Sequence, residues 1–359
     1  MYNIGIVGLG FLGGSLIKSL SKSEKIDKII ACDINEESLK LALEEGTITD
    51  YTLNVDEKFG ICDVVFISTP VSYIADYAYK LQKFVKPTCI ITDTGSTKKT
   101  ILEASKNLEV EFIGGHPMVG SERSGYATSK DLLFENSYYI ITKSENNKPE
   151  SVELLKEIIL ELKAIPIIID STKHDYITAS ISHVPHVVAA ALVNMVKDLD
   201  DENETMKTLA AGGFKDITRI ASSDPTMWEN ICTENKDEVL KILRRLIEIL
   251  QGFENDIEKR DVIYNFFDSS KKYRDSFINR KINGNTMPEL NISVKDENGA
   301  IAKITTILSA NEIGIKNIEV LNNRENNFGA LRVVVRTYEE RDKGFDVLTE
   351  EGFEVKKVN

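Results

Sequence analysis

Apolar and polar positions along this chain follow two rhythms. The first starts at once: Tyr2 to Val7 is a short apolar run, Gly8-Leu9-Gly10-Phe11-Leu12-Gly13 follows, and Ser15 to Ser21 carries Leu16, Ile17 and Leu20 on one side. That order predicts a strand, a glycine-rich turn and a helix. Further strands are predicted over Lys28 to Cys32, Asp63 to Ser68, Thr88 to Thr92, around Val110, Phe112 and Ile113, over Tyr138 to Thr142 and over Pro166 to Ile169. Helices from about Ser72 to Phe84 and from about Pro149 to Lys163 fall between them. Nearly continuous apolar strands separated by helices predict a parallel sheet covered on both faces, so residues 1–170 are expected to form one α/β domain.

Beyond Thr172 the spacing is helical. Ile177, Ile181, Val184, Val188, Leu192 and Met195 recur on one side of a long helix from His174 to Leu199, which Pro185 bends or restarts by removing a backbone donor. Asp224-Pro225 caps and opens a short helix bearing Trp228, the only tryptophan. From Asp237 to Phe253 a stripe of Val239, Leu240, Leu243, Leu246, Ile247 and Leu250 is wide enough for a bundle or a dimer seam. Residues 171–285 are therefore expected to form an all-helical substrate and dimerisation domain ending at Gly284-Asn285. The final stretch, 287–359, reads as strand (Glu289 to Lys295), helix (Ile301 to Ser309), two strands (Ile313 to Leu321, Leu331 to Thr337), helix (Arg341 to Glu350) and strand (Phe353 to Val358). That is the βαββαβ, ferredoxin-like order. It contains no cluster of catalytic residue types and is expected to bind an effector or dimerise.

Bulk properties narrow the choice. At 359 residues the chain is too long for one ordinary core. A net charge of -13 and a pI near 5.0 exclude nucleic acid and an anionic membrane as partners, and an anionic substrate would need local cations of its own. Cys32, Cys62, Cys89 and Cys232 form no CxxC pair and lie in or beside apolar segments, which points to reduced thiols, a cytoplasmic protein and no metal site. The chain enters a strand directly after Met1, with no basic leader, and no apolar run near 18 residues is read from it, so it is expected to be soluble.

The glycine turn fits a dinucleotide fingerprint: Gly8 for the bend, Gly10 for close approach of a pyrophosphate, Gly13 for helix packing, with phosphate at the helix N-terminus. The second strand ends in Asp33, 20 residues beyond Gly13, where an acid takes the ribose hydroxyls. With no arginine beside Asp33, NAD is favoured over NADP. Phe11 and Leu12 in the turn, and Ser68, Thr69 and Pro70 after the third strand, belong to the same cofactor edge, and Ser96 in Asp93-Thr94-Gly95-Ser96 is expected to face nicotinamide or substrate. His116, set between glycine pairs in Gly114-Gly115-His116-Pro117-Met118-Val119-Gly120-Ser121-Glu122-Arg123, is expected in a loop at the sheet edge, as an acid–base group rather than a core histidine. His183 and His186 flank Pro185 on one helix face and are read as site residues. Asp216 and Arg219 form either a surface ion pair or a fork that holds a substrate carboxylate.

Taken in order, Gly8-Leu9-Gly10-Phe11-Leu12-Gly13, Asp93-Thr94-Gly95-Ser96, Gly115-His116-Pro117-Met118-Val119-Gly120-Ser121-Glu122, Ile181-Ser182-His183-Val184-Pro185-His186 and Gly213-Phe214-Lys215-Asp216-Ile217-Thr218-Arg219 with Trp228 resemble the prephenate dehydrogenase family of tyrosine biosynthesis, in its single-activity form with a C-terminal ACT domain. The resemblance implies a Rossmann-type domain and NAD-dependent oxidative decarboxylation of prephenate to 4-hydroxyphenylpyruvate. It implies that His116 takes the ring hydroxyl proton with help from Ser96, that Arg219 binds a carboxylate, and that His186 contacts the side-chain end. Ser121, Glu122, Asp216 and Trp228 would shape the pocket, with His183 beside them. It also implies a homodimer and feedback by an amino acid, L-tyrosine, near Asp296, Asn298 and Gly299. Arogenate as substrate remains open, as does a decarboxylating 3-hydroxyacid dehydrogenase using Lys215 as acid–base group.

Overall fold

The computed structural model describes residues 1–120, 124–277, 281–282, 285–286, 288–295, 297–321 and 328–358. The chain divides into two compact units, Met1–Leu250 and Gln251–Asn359.

The first unit begins with β1 (Tyr2–Val7), α1 (Phe11–Leu20), β2 (Ile26–Cys32), α2 (Glu36–Glu44), β3 (Asp50–Thr52) and β4 (Val64–Ile67). It continues with α3 (Ile74–Leu81), β5 (Ile90–Asp93), α4 (Lys99–Ser105), β6 (Glu111–Pro117), β7 (Tyr138–Thr142), α5 (Pro149–Glu161) and β8 (Ile165–Ile168). These strands form one sheet in the order β3-β2-β1-β4-β5-β6-β7-β8. Alternate residues of each strand enter different cores. Ile4, Ile6, Val64 and Phe66 pack with Leu16, Leu20, Leu155 and Ile159 of α1 and α5, whereas Val7, Val65 and Ile67 pack with Ile74, Ala78, Leu81 and Ile101 of α3 and α4. Two covered faces explain why the strands read as unbroken apolar runs.

Two expectations are corrected. The sheet is parallel except where β6 and β7 run antiparallel. His116 lies in β6, paired with Ile140, not in a loop. β5 pairs with Glu111 to Ile113 only, so Gly114 to Pro117 extend past its ladder and pair with β7, while the Asp93 side chain at the end of β5 accepts from the Gly115 N–H. The glycines that suggested a loop serve close packing instead: a Cβ on Gly115 would meet the Asp93 carbonyl oxygen at 2.4 Å.

The helical part of this unit contains α6 (Ser171–Thr178), a π-helical turn (Ala179–His183), α7 (Val184–Leu199), α8 (Thr205–Leu209), α9 (Gly212–Thr218), α10 (Pro225–Glu234) and the start of α11 (Lys236–Asn255). Pro185 does not break the helix. The π turn Ala179–His183 precedes it, so the helix meets the proline's missing N–H with a local irregularity rather than a break. Ser171–Leu199 is thus one 29-residue helix, long and apolar enough to span a membrane by length and composition, contrary to the expectation that no such run existed.

The second unit holds α12 (Arg260–Ser276), the short pair β9 (Lys281–Ile282) and β10 (Asn285–Thr286), then β11 (Glu289–Lys295), α13 (Ala300–Ala310), β12 (Ile315–Leu321), β13 (Phe328–Val335), α14 (Tyr338–Glu350) and β14 (Glu354–Val358). The last six elements are βαββαβ, with an antiparallel sheet in the order β12-β13-β11-β14 around Leu290, Ile292, Ile304, Leu308 and Val333.

Candidate active site

The sheet order reverses between β1 and β4, and the carboxyl ends of β1, β4, β5 and β6 border the crevice in which such sheets hold ligands. At the end of β1, a Cβ on Gly13 would lie 2.0 Å from the Gly8 carbonyl oxygen, so only glycine lets α1 start this close to the strand. Nothing lies within 4 Å of a Cβ at Gly10, which leaves that backbone open to a ligand. α1 starts with no side-chain cap and no acid in its first turn, so its N–H groups remain available for a pyrophosphate. Asp33 accepts from the backbone N–H of Leu9 (2.6 Å) and of Asn35 (2.7 Å), which fixes a carboxylate beside the glycine turn. Ser68 accepts a bond from the Thr94 hydroxyl at 3.0 Å, joining the ends of β4 and β5. These residues fit a dinucleotide, which when bound supplies the hydride acceptor.

Next to this edge is a polar network assembled from distant segments. His116 Nδ1 lies 2.8 Å from His174 Nε2, and His174 Nδ1 lies 2.7 Å from Asp175 Oδ1. Asp175 also accepts from the backbone N–H groups of Lys98 and Lys99, each at 2.8 Å, and so fixes the start of α4. Lys98 is buried and ion-paired with Asp93, which in turn accepts from the N–H groups of Gly95 (2.8 Å) and Gly115 (3.0 Å). Asn235 donates to the Asp175 carbonyl oxygen at 2.9 Å and lies 3.1 Å from His183 Nδ1. His174 and Asp175 are 0% and 2% exposed, so neither contacts solvent appreciably, whereas His116 is only partly buried.

Burial dominates the electrostatics. It pulls His116 well below the ordinary histidine value, helped by His174, Lys98 and His183, so the imidazole is neutral at pH 7. Burial likewise lowers His174, against the pull of Asp175, and takes His183 down to about 4. Lys98 is lowered by burial despite Asp93.

His186 stacks on Trp228 (3.9 Å between ring centroids) and His183 meets the same indole edge-on at 6.0 Å. Since Asn235 offers an N–H to His183 Nδ1, the ring proton sits on Nε2. That N–H and the Trp228 indole N–H are buried without a partner among the described residues, and two such donors suit an anionic or keto oxygen. α10, which carries Trp228, packs on the turn Val71–Tyr73 that follows Thr69 and Pro70. Ser96 lies between Asp93 and Lys98. Asp216 and Arg219 are exposed at the end of α9 and just after it, in segments that pack on α7. Lys215 is also exposed, outside the enclosed setting in which the histidines lie. Ser121, Glu122 and Asp296 lie outside the described residues; Asn298 and Gly299 form the turn before α13, with Gly299 at φ +87°. His174, Asp175, Lys98 and Asn235 were not anticipated. One signal was available: His174 and Asp175 are adjacent, and His174 is one of only four histidines.

A doubly wound sheet with a dinucleotide fingerprint and a neutral histidine beside it defines a nicotinamide-dependent dehydrogenase. Residues 16–168 match the family model for the prephenate dehydrogenase nucleotide-binding domain, and residues 170–268 match the model for its dimerization domain. The chain is 34% identical to the prephenate dehydrogenase of Bacillus subtilis (strain 168), covering 94% of this chain and 93% of that one. It is 33% identical to that of Lactococcus lactis subsp. cremoris (strain MG1363), covering 97% and 98%. The crystal structure of Aquifex aeolicus prephenate dehydrogenase with hydroxyphenyl propionate and NAD+ superposes with a TM-score of 0.74 at 33% identity, covering 77% of this chain and 98% of that one. The chain belongs to the prephenate dehydrogenase family and is an NAD-dependent oxidoreductase.

Proposed function

We propose that this protein oxidises prephenate with NAD to 4-hydroxyphenylpyruvate and carbon dioxide, as a step towards tyrosine. The observation that carries the reading is a histidine, His116, kept neutral by burial at the sheet edge next to the dinucleotide crevice. His116 takes the proton of the ring hydroxyl as the carbinol hydrogen departs as hydride. The ring carboxylate then leaves as carbon dioxide, its electron pair makes the ring aromatic, and His116 returns the proton to the phenolate. Ser96 orients the hydroxyl. Arg219 holds a carboxylate of the dianion against an acidic protein. His186, His183 and Trp228 receive the side-chain end, with Ser121, Glu122 and Asp216 shaping the pocket. Gly8, Gly10, Phe11, Leu12, Gly13, Asp33, Ser68, Thr69 and Pro70 hold NAD. The test is NADH formation followed at 340 nm with prephenate and arogenate, each offered with NAD and NADP. Turnover of arogenate alone would reassign the substrate, and turnover of neither would overturn the reading.

Two further parts belong to this reading. The protein acts in the cytoplasm as a homodimer through the helical domain, where Ile181, Met195 and Leu199 on the long helix, and Ile247 and Leu250 on α11, expose apolar surface in the single chain. L-tyrosine binds the βαββαβ module near Asp296, Asn298 and Gly299 and inhibits turnover, with a coupling of about 1–3 kcal/mol. Turnover indifferent to millimolar tyrosine would remove that part and leave the catalytic assignment standing.

A further inference from the structure

We propose that His174 and Asp175 are positioning residues that fix the tautomer of His116 and accept part of its charge while it holds the substrate proton. The inference rests on the reading of His116 as the base. Among the described residues, the Asp175 carboxylate meets two backbone N–H groups and His174 Nδ1. A carboxylate in that setting accepts, so the proton on His174 sits on Nδ1 and its Nε2 offers a lone pair. His116 Nδ1, 2.8 Å from that nitrogen, must then carry the proton, with the rings at 71°. Its Nε2 is left bare. The chain Asp175, His174, His116 thus presents a lone pair at the far end of the base, the tautomer needed to abstract a hydroxyl proton. The reverse order would protonate His116 Nε2 and disable it.

The burial of the chain fits the proton balance. Oxidation removes one hydroxyl proton and aromatisation returns one to the phenolate oxygen, so no net proton leaves. A relay that ended at solvent would serve no purpose. This one ends at Asp175, with both inner members buried, and shares the positive charge of the protonated base without releasing the proton. Serine-protease triads use a buried acid in the same sense, to hold an imidazole in one tautomer and stabilise its charged form.

Nitrogen-15 histidine NMR of the NAD-bound protein reads the tautomers without turnover, with His116 signals assigned by their loss in His116→Asn. The expected result is His116 and His174 both protonated on Nδ1 at neutral pH. A proton on His116 Nε2 would overturn the proposal. In turnover, His174→Phe, which fills the space without an acceptor, is expected to lower kcat about 10²-fold while the prephenate KM and NAD affinity stay within about threefold. His174→Gln, whose carbonyl can replace Nε2 as acceptor, should keep kcat within about tenfold of the parent. A folded, NAD-binding His174→Phe protein with near-parental kcat, or a Gln variant as impaired as Phe, would also overturn it. If the parent itself fails to oxidise prephenate, the function reading falls, and the NMR result still decides the tautomer.

Discussion

The two sides of the crevice are built in opposite ways. The dinucleotide side is local: β1, the glycine turn, α1 and β2 are consecutive, and the tie that sets its acid, Asp33 to Leu9, spans 24 residues. The histidine side is assembled across the chain, with His116 and His174 separated by 58 positions, Lys98 and Asp175 by 77, and Asn235 and Asp175 by 60. A site of the first kind can be read from spacing, because each residue's place follows from its neighbours. A site of the second kind depends on which strand end and which helix face the fold brings together.

Substitutions on the two sides should therefore fail differently. The largest effect is expected at His116: His116→Asn should lower kcat by about 10²- to 10⁴-fold with little change in either KM, because it removes the base and leaves binding intact. Near-parental turnover in that variant would mean the base lies elsewhere. Arg219→Ala comes next. If it removes about 1.5 to 3 kcal/mol of charge-assisted bonding, the prephenate KM rises about 10- to 150-fold with kcat largely kept. A large loss in kcat at unchanged KM would assign Arg219 to the chemical step. On the dinucleotide side, Asp33→Ser should raise the NAD KM by about tenfold, for about 1.5 kcal/mol lost, and let NADP compete. An unchanged preference for NAD would show that Asp33 serves only its bonds to Leu9 and Asn35.

How much was legible follows the same division. The glycine turn and Asp33 emerged from the sequence with the right neighbours. So did β11, over Glu289 to Lys295, and the βαββαβ order that follows it. α1 is expected from Ser15, yet it starts at Phe11, because Gly13, against the Gly8 carbonyl, and Gly14, against Tyr126 and Ser129, weaken the helical signal where close packing requires small residues. The β6 extension was misread for the same reason: Gly114 and Gly115 looked like a loop because their lack of side chains is demanded by β5 and β7, whose approach no local pattern reports. His174 sits in the first helix after β8, marked in the sequence only by its scarcity and by Asp175 beside it. Only the fold brings it to His116.

The smallest expected effect is a difference between activity and stability on acidification. The active base is neutral His116, and burial keeps its value well below 6.5, so kcat/KM should fall from pH 7.5 to 5.5 by much less than the roughly tenfold that an ordinary imidazole would lose. Stability should behave otherwise. His183 stays neutral in the folded protein down to about 4, but in the unfolded chain it takes up a proton near 6.5, so its contribution is present above 6.5 and is lost as pH falls towards 4. The loss approaches about 1.4 kcal/mol per pH unit for this group within that window. Thermal melts at pH 7.5, 6.5 and 5.5, read beside kcat/KM at the same values, separate the two effects. A Tm that falls while kcat/KM holds is the expected result. A parallel loss of both would mean that His116 titrates with an ordinary histidine value and that the cluster is open to water.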